Sequence, residues 1–309
     1  MIYTAATLLK TLLLSAMAFF LAPSLLLSGF LLFGLSGIFS GISSDISYAQ
    51  DKPQAVSLDY CADQFILSLA DRDQIMAVTH DATRSHSFYS DKAQGLPQFG
   101  ATSEEVLHMM PDVVIRSWGG SRMLPLLQRA KIPVTTAIYG TGPEILYQNM
   151  RAIGVALKQS DRAEERIHDH QQRLIRLTEK IARSENIKPK LRTAYITPGG
   201  VTAGKNTFIN NIIKLSGLIP ISEELGLIGW QTLPLEALIQ NPPDLIIGSF
   251  FNQDNIHVSN WSLTHHNRIK EMLATIPTIT VPGRYLSCNG IFSVDAAEYI
   301  HDAVETILK

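Results

Sequence analysis

Short aliphatic runs alternate along the chain with longer segments whose apolar residues recur every three or four positions. The short runs predict buried strands, and the longer segments predict amphipathic helices. Strands that alternate with helices imply an α/β fold with largely parallel sheets. The predicted strands are 55–58, 74–79, 113–116, 132–137, 192–197, 245–247 and 278–281. The predicted helices include 63–69, 144–157, 161–183, 208–216, 267–274 and 294–308.

One segment of this pattern occurs twice. Residues 100–115 read GATSEEVLHMMPDVVI, and residues 232–247 read TLPLEALIQNPPDLII. In each copy a glutamate, Glu104 or Glu236, stands seven residues before a proline that is followed by aspartate and an aliphatic run. This order predicts a short amphipathic helix, a proline stop and a buried strand. Two copies predict two similar lobes, each with a carboxylate at a helix start, and a ligand cleft between them.

The middle of the chain differs from the rest, because residues 143–184 contain two helical patterns and no strand. The second pattern, 161–183, is highly charged and has few apolar positions. A long helix here would act as a stiff spine between lobes, and an ordinary surface helix of one lobe fits the local pattern equally well. We predict a first lobe at 50–158, a connecting helix at 159–186 and a second lobe at 187–309.

The first 49 residues form a separate segment. Residues 11–42 carry no charge, Lys10 precedes them, and Ser47-Tyr48-Ala49 follows with small residues at the positions that a signal peptidase requires. This predicts a secretory signal peptide cleaved after Ala49. The apolar run is long for a signal, so an uncleaved membrane anchor is the alternative. Either reading places the remainder outside the cytoplasm.

Charge and cysteine content narrow the function. The formal net charge is −2, which gives no basic face for a nucleic acid. The two cysteines, Cys61 and Cys288, are far apart in sequence and could pair in an oxidising compartment. A bridge between opposite lobes would lock the cleft, so we expect two unpaired thiols.

A glycine-rich segment, 199–207, nearly matches a nucleotide-binding loop between a strand and a helix. Asn206 occupies the position of the magnesium-binding hydroxyl, and no aspartate ends a nearby strand as the second magnesium ligand. We therefore expect no ATPase; the loop would instead present backbone amides and Lys205 to another ligand.

Histidines raise the possibility of a metal enzyme. His80 and His86 share a loop and could supply two zinc ligands, which makes a secreted metal-dependent hydrolase the alternative function. No cysteine or carboxylate set at diagnostic spacing completes a tetrahedral site, and surface histidines are the simpler interpretation.

Aromatic residues cluster in loops and at predicted strand ends. Ligands of α/β lobes bind beyond the carboxyl ends of the strands, so aromatic rings there suit a large ligand with a flat or apolar face. These residues are Tyr60, Phe88, Tyr89, Trp118, Trp230, Phe250, Phe251, Trp261 and Tyr285.

Together with the repeats, the segments VSLDYCADQFILSLA, GGVTAGKNT and RYLSCNGIFSVDAAEYI resemble the substrate-binding proteins of ABC importers for cobalamin, iron-siderophore and haem. The resemblance runs from about residue 56 to residue 308. It implies two Rossmann-like lobes joined by a long rigid helix, with the ligand cleft between them. It also implies a periplasmic, non-enzymatic, monomeric protein that has no cofactor of its own and binds a metal chelate.

The resemblance also assigns residues. Glu104 and Glu236 would dock onto arginines of the membrane permease, with Glu105 as an alternative to Glu104. Tyr60 or Tyr285 could ligate haem iron as a phenolate, whereas the three tryptophans fit any tetrapyrrole or corrin face, so cobalamin, haem and ferric siderophores all stay open. The implied ligand-binding positions are Tyr60, His80, Trp118, Gly119, Val201, Trp230, Phe250, Arg284 and Tyr285.

Overall fold

A computed structural model describes residues 52–185, 190–249 and 267–308. The predicted signal peptide or anchor, 1–49, lies outside these residues. No helix within the described ranges is long and apolar enough to cross a membrane.

The first lobe contains a five-stranded parallel sheet in the order β3-β2-β1-β4-β5. This strand order is that of a doubly wound nucleotide-binding fold. Its strands are β1 (Ala55–Ser57), β2 (Ile75–Thr79), β3 (Gln98–Phe99), β4 (Val113–Arg116) and β5 (Val134–Thr136). Its helices are α1 (Tyr60–Leu69), α2 (Ser90–Ala93), α3 (Ser103–Met109), α4 (Leu124–Arg129) and α5 (Pro143–Ala156).

The second lobe follows a 26-residue helix, α6 (Ser160–Glu185). Its four-stranded parallel sheet has the order β11-β10-β6-β8, and β7 pairs antiparallel with β9. The strands are β6 (Arg192–Ile196), β7 (Val201–Ala203), β8 (Ile219–Pro220), β9 (Trp230–Thr232), β10 (Leu245–Ser249) and β11 (Thr278–Val281). The helices are α7 (Phe208–Leu215), α8 (Ile221–Glu224), α9 (Leu235–Gln240), α10 (Asn267–Thr275), α11 (Gly283–Leu286) and α12 (Ser293–Ile307). The predicted α/β class with two lobes is confirmed.

The sequence repeat has a structural cause. In the first lobe the Asp112 carboxylate accepts the backbone N–H of Gln54 at 2.8 Å, immediately before β1. In the second lobe the Asp244 carboxylate accepts the backbone N–H of Arg192, also at 2.8 Å, at the start of β6. In both lobes this aspartate therefore fixes the start of one central strand against its parallel neighbour, β4 against β1 and β10 against β6.

Helix α6 connects the two hydrophobic cores. Its Ile167 is buried in the core of the first lobe, and its Leu177 is buried in the core of the second. Between them, the ring nitrogens of His170 lie 2.8 Å from the Tyr147 hydroxyl of the first lobe and 3.0 Å from the Ser293 hydroxyl of the second. The helix therefore forms a spine packed on both lobes, rather than a surface helix of one.

The prediction of two unpaired thiols is wrong, because Cys61 and Cys288 form a disulfide with their Cα atoms 5.7 Å apart. The prediction rested on the argument that a bridge between opposite lobes would lock the cleft. In the structure, residues 287–292 cross to the first lobe, where the Ser287 hydroxyl donates to the His86 carbonyl at 2.8 Å, so the bridge forms where the two lobes already meet. Sequence distance alone could not reveal this crossing.

The backbone amides that were expected to face a ligand from the glycine-rich segment 199–207 are largely used inside the lobe. Residues 201–203 form strand β7, Gly204 N–H donates to the Gly229 carbonyl, and Lys205 N–H donates to the Leu227 carbonyl. The Lys205 side chain is exposed, and its contact with a ligand stays a prediction. Thr207 caps helix α7 with its side chain. The segment therefore builds the lobe and offers few amides to a ligand.

Candidate functional site

A cavity of about 580 Å³ lies between the two lobes. Its wall is built largely from residues that follow the carboxyl ends of β1, β4, β5 and β6, which is where parallel α/β sheets place their ligands. The disulfide and the neighbouring crossing residues complete the wall. The lining residues are Tyr60, Cys61, Phe65, His86, Ser117, Trp118, Ala137, Ile138, Tyr139, Gly140, Asn149, Tyr195, Thr197, Phe208, Trp230, Leu286, Ser287, Cys288 and Asn289.

Each lobe contributes one exposed indole backed by a more buried ring. Trp118 is 61% exposed and stands edge-on to Tyr60, with ring centroids 5.7 Å apart. Trp230 is 46% exposed and stands edge-on to Phe208, with centroids 6.0 Å apart. Edge-to-face packing fixes a ring without covering its outer face. The cavity therefore has two aromatic platforms, one on each lobe.

The described lining residues include no Lys, Arg, Asp or Glu. Several polar groups of the wall are already bonded within the protein. The Asn149 amide bonds both the N–H and the carbonyl of Ile138, at 2.8 Å each. The Asn289 amide nitrogen donates to the Gly140 carbonyl at 3.0 Å. What the wall offers a ligand is mainly apolar and aromatic surface.

Three lining residues have shifted pKa values: Tyr195, whose pKa is raised by burial, and the neighbouring pair Tyr60 and His86. Burial raises the pKa of the Tyr60 phenol, and the nearby carboxylates of Asp59 and Asp81 raise it further. Burial lowers the pKa of His86, so its imidazole is neutral at pH 7 despite Asp81 at 3.9 Å. The rings of Tyr60 and His86 stand edge to face with centroids 5.6 Å apart. A phenol and a neutral imidazole thus share one side of the cavity.

Among the predicted ligand-binding residues, Tyr60, Trp118 and Trp230 line the cavity. Gly119 lies behind the wall: a Cβ there would lie 2.4 Å from the Leu58 carbonyl oxygen, so its role is close packing. Phe250, like Phe251 and Trp261, lies outside the described residues.

The remaining four predicted positions lie away from the cavity wall. His80 is exposed, with Nδ1 3.4 Å from the Gln98 side-chain oxygen. Val201 is an exposed residue of β7. Arg284 is exposed beside the Tyr285 ring, and Tyr285 stacks on Tyr299 with centroids 5.3 Å apart. Contact between the ligand and any of the nine predicted residues stays a prediction.

Both predicted docking glutamates lie at the first turn of a short helix and are exposed, Glu104 on α3 and Glu236 on α9. Glu105, the alternative, is used locally. Its carboxylate accepts the N–H groups of Gly100 and Thr102 and the Thr102 hydroxyl, which lowers its pKa. Because Glu105 completes a capping box, Glu104 is the carboxylate that faces outward.

Sequence reasoning did not assign Ile138-Tyr139-Gly140 to the site, although the signal that marked Trp118 was present there. An aromatic residue beside glycine directly follows predicted strand 132–137. Tyr139 also reaches the second lobe, since its hydroxyl donates to the Asn206 carbonyl at 3.2 Å. His86 and residues 286–289 gave no comparable signal. Residues 287–289 are placed by contacts between the lobes, and the His86 ring is placed by its edge-to-face contact with Tyr60.

The described residues contain no group of three or more His, Cys, Asp or Glu side chains placed to hold a metal ion. In particular, His80 and His86 have different surroundings, one exposed beside Gln98 and the other on the cavity wall. The geometry of the described residues therefore gives no support to the hydrolase alternative.

Two α/β lobes on a helical spine, with an aromatic cavity at their seam, define a bilobal ligand-binding protein. A family model described as "Periplasmic binding protein" matches residues 56–257. The chain belongs to this family, whose members are binding proteins and not enzymes. No curated protein matches the sequence.

Solved structures share the fold. A periplasmic haem-binding protein from Pseudomonas aeruginosa is 21% identical, with 81% of this chain and 92% of that chain covered and a TM-score of 0.65. The periplasmic vitamin B12 binding protein BtuF of Vibrio cholerae is 17% identical, with 83% and 98% covered and a TM-score of 0.60. An ABC-type Fe³⁺-hydroxamate transport system protein from Saccharomonospora viridis is 14% identical, with 82% and 93% covered and a TM-score of 0.62. At such identities the similarity establishes the fold alone.

Proposed function

We propose that this protein is the substrate-binding component of an ABC importer. It captures a metal chelate in the periplasm, in the cavity between its lobes, and delivers it to a permease in the inner membrane. It acts as a monomer and uses no cofactor, since the metal arrives as part of the ligand. The family membership supports this role, as does the similarity to binding proteins for haem and vitamin B12 and to a protein of an ABC-type Fe³⁺-hydroxamate transport system.

The paired indoles of Trp118 and Trp230 are the main observation from which we infer the class of ligand. Two exposed aromatic platforms from opposite lobes suit a large flat ring system. The described wall has no cation to neutralise a strongly anionic ligand, and the undescribed residues 250–266 contain no Lys or Arg in their sequence. The proposed ligand is therefore a corrinoid of the cobalamin type, whose periphery carries mainly amides.

Haem is the second candidate, favoured by the adjacency of Tyr60 and His86 on the cavity wall. A neutral imidazole is ready to coordinate iron, whereas a phenol with a raised pKa gives up its proton less readily. The haem carboxylates would meet no Lys or Arg of the described wall. Cobalamin therefore ranks first.

Delivery to the permease depends on Glu104 and Glu236 in this proposal. The two carboxylates occupy matched places in the two lobes, at the start of the helix before the repeated Pro-Asp segment. Exposed ion pairs contribute little affinity each, but two carboxylates on a rigid body set the orientation of a partner. Helix α6, which packs on the cores of both lobes, limits the change in their separation.

A fluorescence titration tests the ligand choice. Purified protein is titrated with cyanocobalamin, haemin and a ferric hydroxamate while tryptophan emission is followed. We expect cyanocobalamin to quench the emission with one equivalent and the lowest Kd. A lowest Kd for haemin would favour the second candidate, and no binding of any of the three would contradict the proposal.

A further inference from the structure

The loop that carries Trp118 is held by a single buried carboxylate. Asp59, the N-cap residue of α1, is 3% exposed. Its Oδ2 accepts three successive backbone N–H groups of this loop, from Ser117 at 2.8 Å, Trp118 at 3.1 Å and Gly119 at 2.9 Å. Its Oδ1 accepts the Ser117 hydroxyl and, at 2.9 Å, the N–H of Ala62 in α1. Charge-assisted bonds to backbone amides are among the stronger hydrogen bonds in proteins.

The carbonyl side of the same loop is held by a cation. Arg116, the last residue of β4, is 8% exposed. Its guanidinium donates to the Gly119 carbonyl at 2.6 Å and to the Trp118 carbonyl at 3.1 Å. The planar fork of arginine suits two acceptors at once. The N–H groups of residues 117–119 therefore meet a buried anion, and the carbonyls of 118–119 meet a buried cation.

We propose that Asp59 is a positioning residue of the ligand site. Its carboxylate, opposed by Arg116, fixes the backbone of residues 117–119, so that the exposed Trp118 ring is already oriented before a ligand arrives. The Trp118 side chain is 61% exposed and would otherwise lose conformational entropy when a ligand binds. Orienting the ring beforehand removes that entropic cost from the binding free energy. The part concerning the ligand depends on the proposed function; the part concerning the loop does not.

The test uses Asp59→Asn, because asparagine has nearly the same shape but lacks the second acceptor oxygen. The matched control is Asp112→Asn, which removes a carboxylate that also accepts a backbone N–H, that of Gln54, in the same sheet but away from the cavity. Time-resolved fluorescence anisotropy of Trp118 is measured in a Trp230→Phe, Trp261→Phe background. Affinity for cyanocobalamin is measured with all three tryptophans present.

We expect Asp59→Asn to increase the amplitude of fast Trp118 motion and to weaken cyanocobalamin binding about tenfold, while Asp112→Asn changes neither by more than twofold. An unchanged anisotropy decay in Asp59→Asn would overturn the proposal. Greater Trp118 motion with unchanged affinity would overturn the claim that this orientation aids ligand binding.

If the wild-type protein binds none of the chelates, the proposed function fails, but the anisotropy still decides whether Asp59 fixes the loop. Should Asp59→Asn fail to fold, Arg116→Lys, which lacks the planar fork that bonds both carbonyls at once, is expected to mobilise Trp118, and unchanged motion there would equally overturn the proposal.

Discussion

Cys61 and Cys288 form a disulfide on the wall of the cavity, joining helix α1 of the first lobe to a chain segment of the second. Cys288 is buried, whereas Cys61 is half-buried. Beside the bond, the Tyr60 hydroxyl donates to the Ser287 carbonyl at 3.3 Å, and Phe292 stacks on Phe88 with centroids 4.4 Å apart. The cavity wall therefore contains a covalent link between the two lobes, and any movement of the lobes must occur around this link.

The disulfide should make a large contribution to stability. It closes a sequence separation of 227 residues, and bridges across long loops stabilise by about 2–5 kcal/mol through the lost entropy of the unfolded chain. We expect dithiothreitol to lower the free energy of unfolding by an amount in that range, measured by urea denaturation. The Cys61→Ser, Cys288→Ser variant should have this lower free energy of unfolding from the outset, and dithiothreitol should not change it. Two titratable thiols in the denatured, unreduced protein would contradict the bond.

Trp230 should contribute directly to binding. Its ring is half-exposed at the cavity and backed by Phe208, so truncation removes an aromatic platform while leaving its support. We expect Trp230→Ala to weaken cyanocobalamin binding at least tenfold, about 1.4 kcal/mol, and Trp230→Phe to weaken it less. Ile239→Ala, on an exposed face of α9, is the control. Equal affinities of Trp230→Ala and wild type in a calorimetric titration would remove Trp230 from the site.

Acid should destabilise the spine through His170. Burial and the nearby Arg173 lower its pKa from 6.5 to about 4. The unfolded chain takes up this proton near pH 6.5, whereas the folded protein takes it up only near pH 4. Stability is therefore lost as pH falls through this window, by about 2 kcal/mol between pH 7 and pH 5. Burial raises the pKa of Asp63 to about 6, which favours the folded state as pH falls and offsets part of this loss.

His170→Gln separates these two contributions. Because Asp63 is present in both proteins, its effect cancels, and the variant should lose about 2 kcal/mol less stability than wild type between pH 7 and pH 5. Asp63→Asn should show the opposite change and lose more than wild type. Urea denaturation at the two pH values measures both differences. Parallel pH profiles for His170→Gln and wild type would contradict the role assigned to His170.

Substitution of the two docking glutamates should reduce transport without changing ligand affinity. Because Glu104 and Glu236 are exposed outside the cavity wall, replacing both by Gln should leave the Kd for cyanocobalamin within twofold. We expect uptake of labelled cobalamin by cells that carry the variant to fall at least tenfold. Glu165→Gln with Glu179→Gln, two exposed carboxylates of α6, is the matched control. Normal uptake by the Glu104, Glu236 double variant would reject the docking role.

The sequence pattern predicted the main strands, because runs such as 113–115 and 245–247 are continuous aliphatic segments, which are typical of buried parallel strands. The shortest strands are Gln98–Phe99 and Ile219–Pro220, and two residues are too few to show a hydrophobic period. These strands form because the edge of a neighbouring strand is available for pairing. Within the cavity, Trp118 was predictable from its place just after predicted strand 113–116. Trp230 was predictable as an aromatic residue of a predicted loop, although it begins strand β9 in the structure. The disulfide was not, because it depends on the crossing of residues 287–292 to the first lobe. His86 was not, because its place on the wall follows from packing against Tyr60.

Calorimetric titration of cyanocobalamin into the wild-type protein and into a Trp118→Ala, Trp230→Ala variant is the most direct measurement of the proposed site. If the seam between the lobes grips the ligand through these two rings, the wild-type protein binds one equivalent and the variant loses at least a hundredfold in affinity. Equal affinity in the two proteins would contradict this and place the ligand elsewhere.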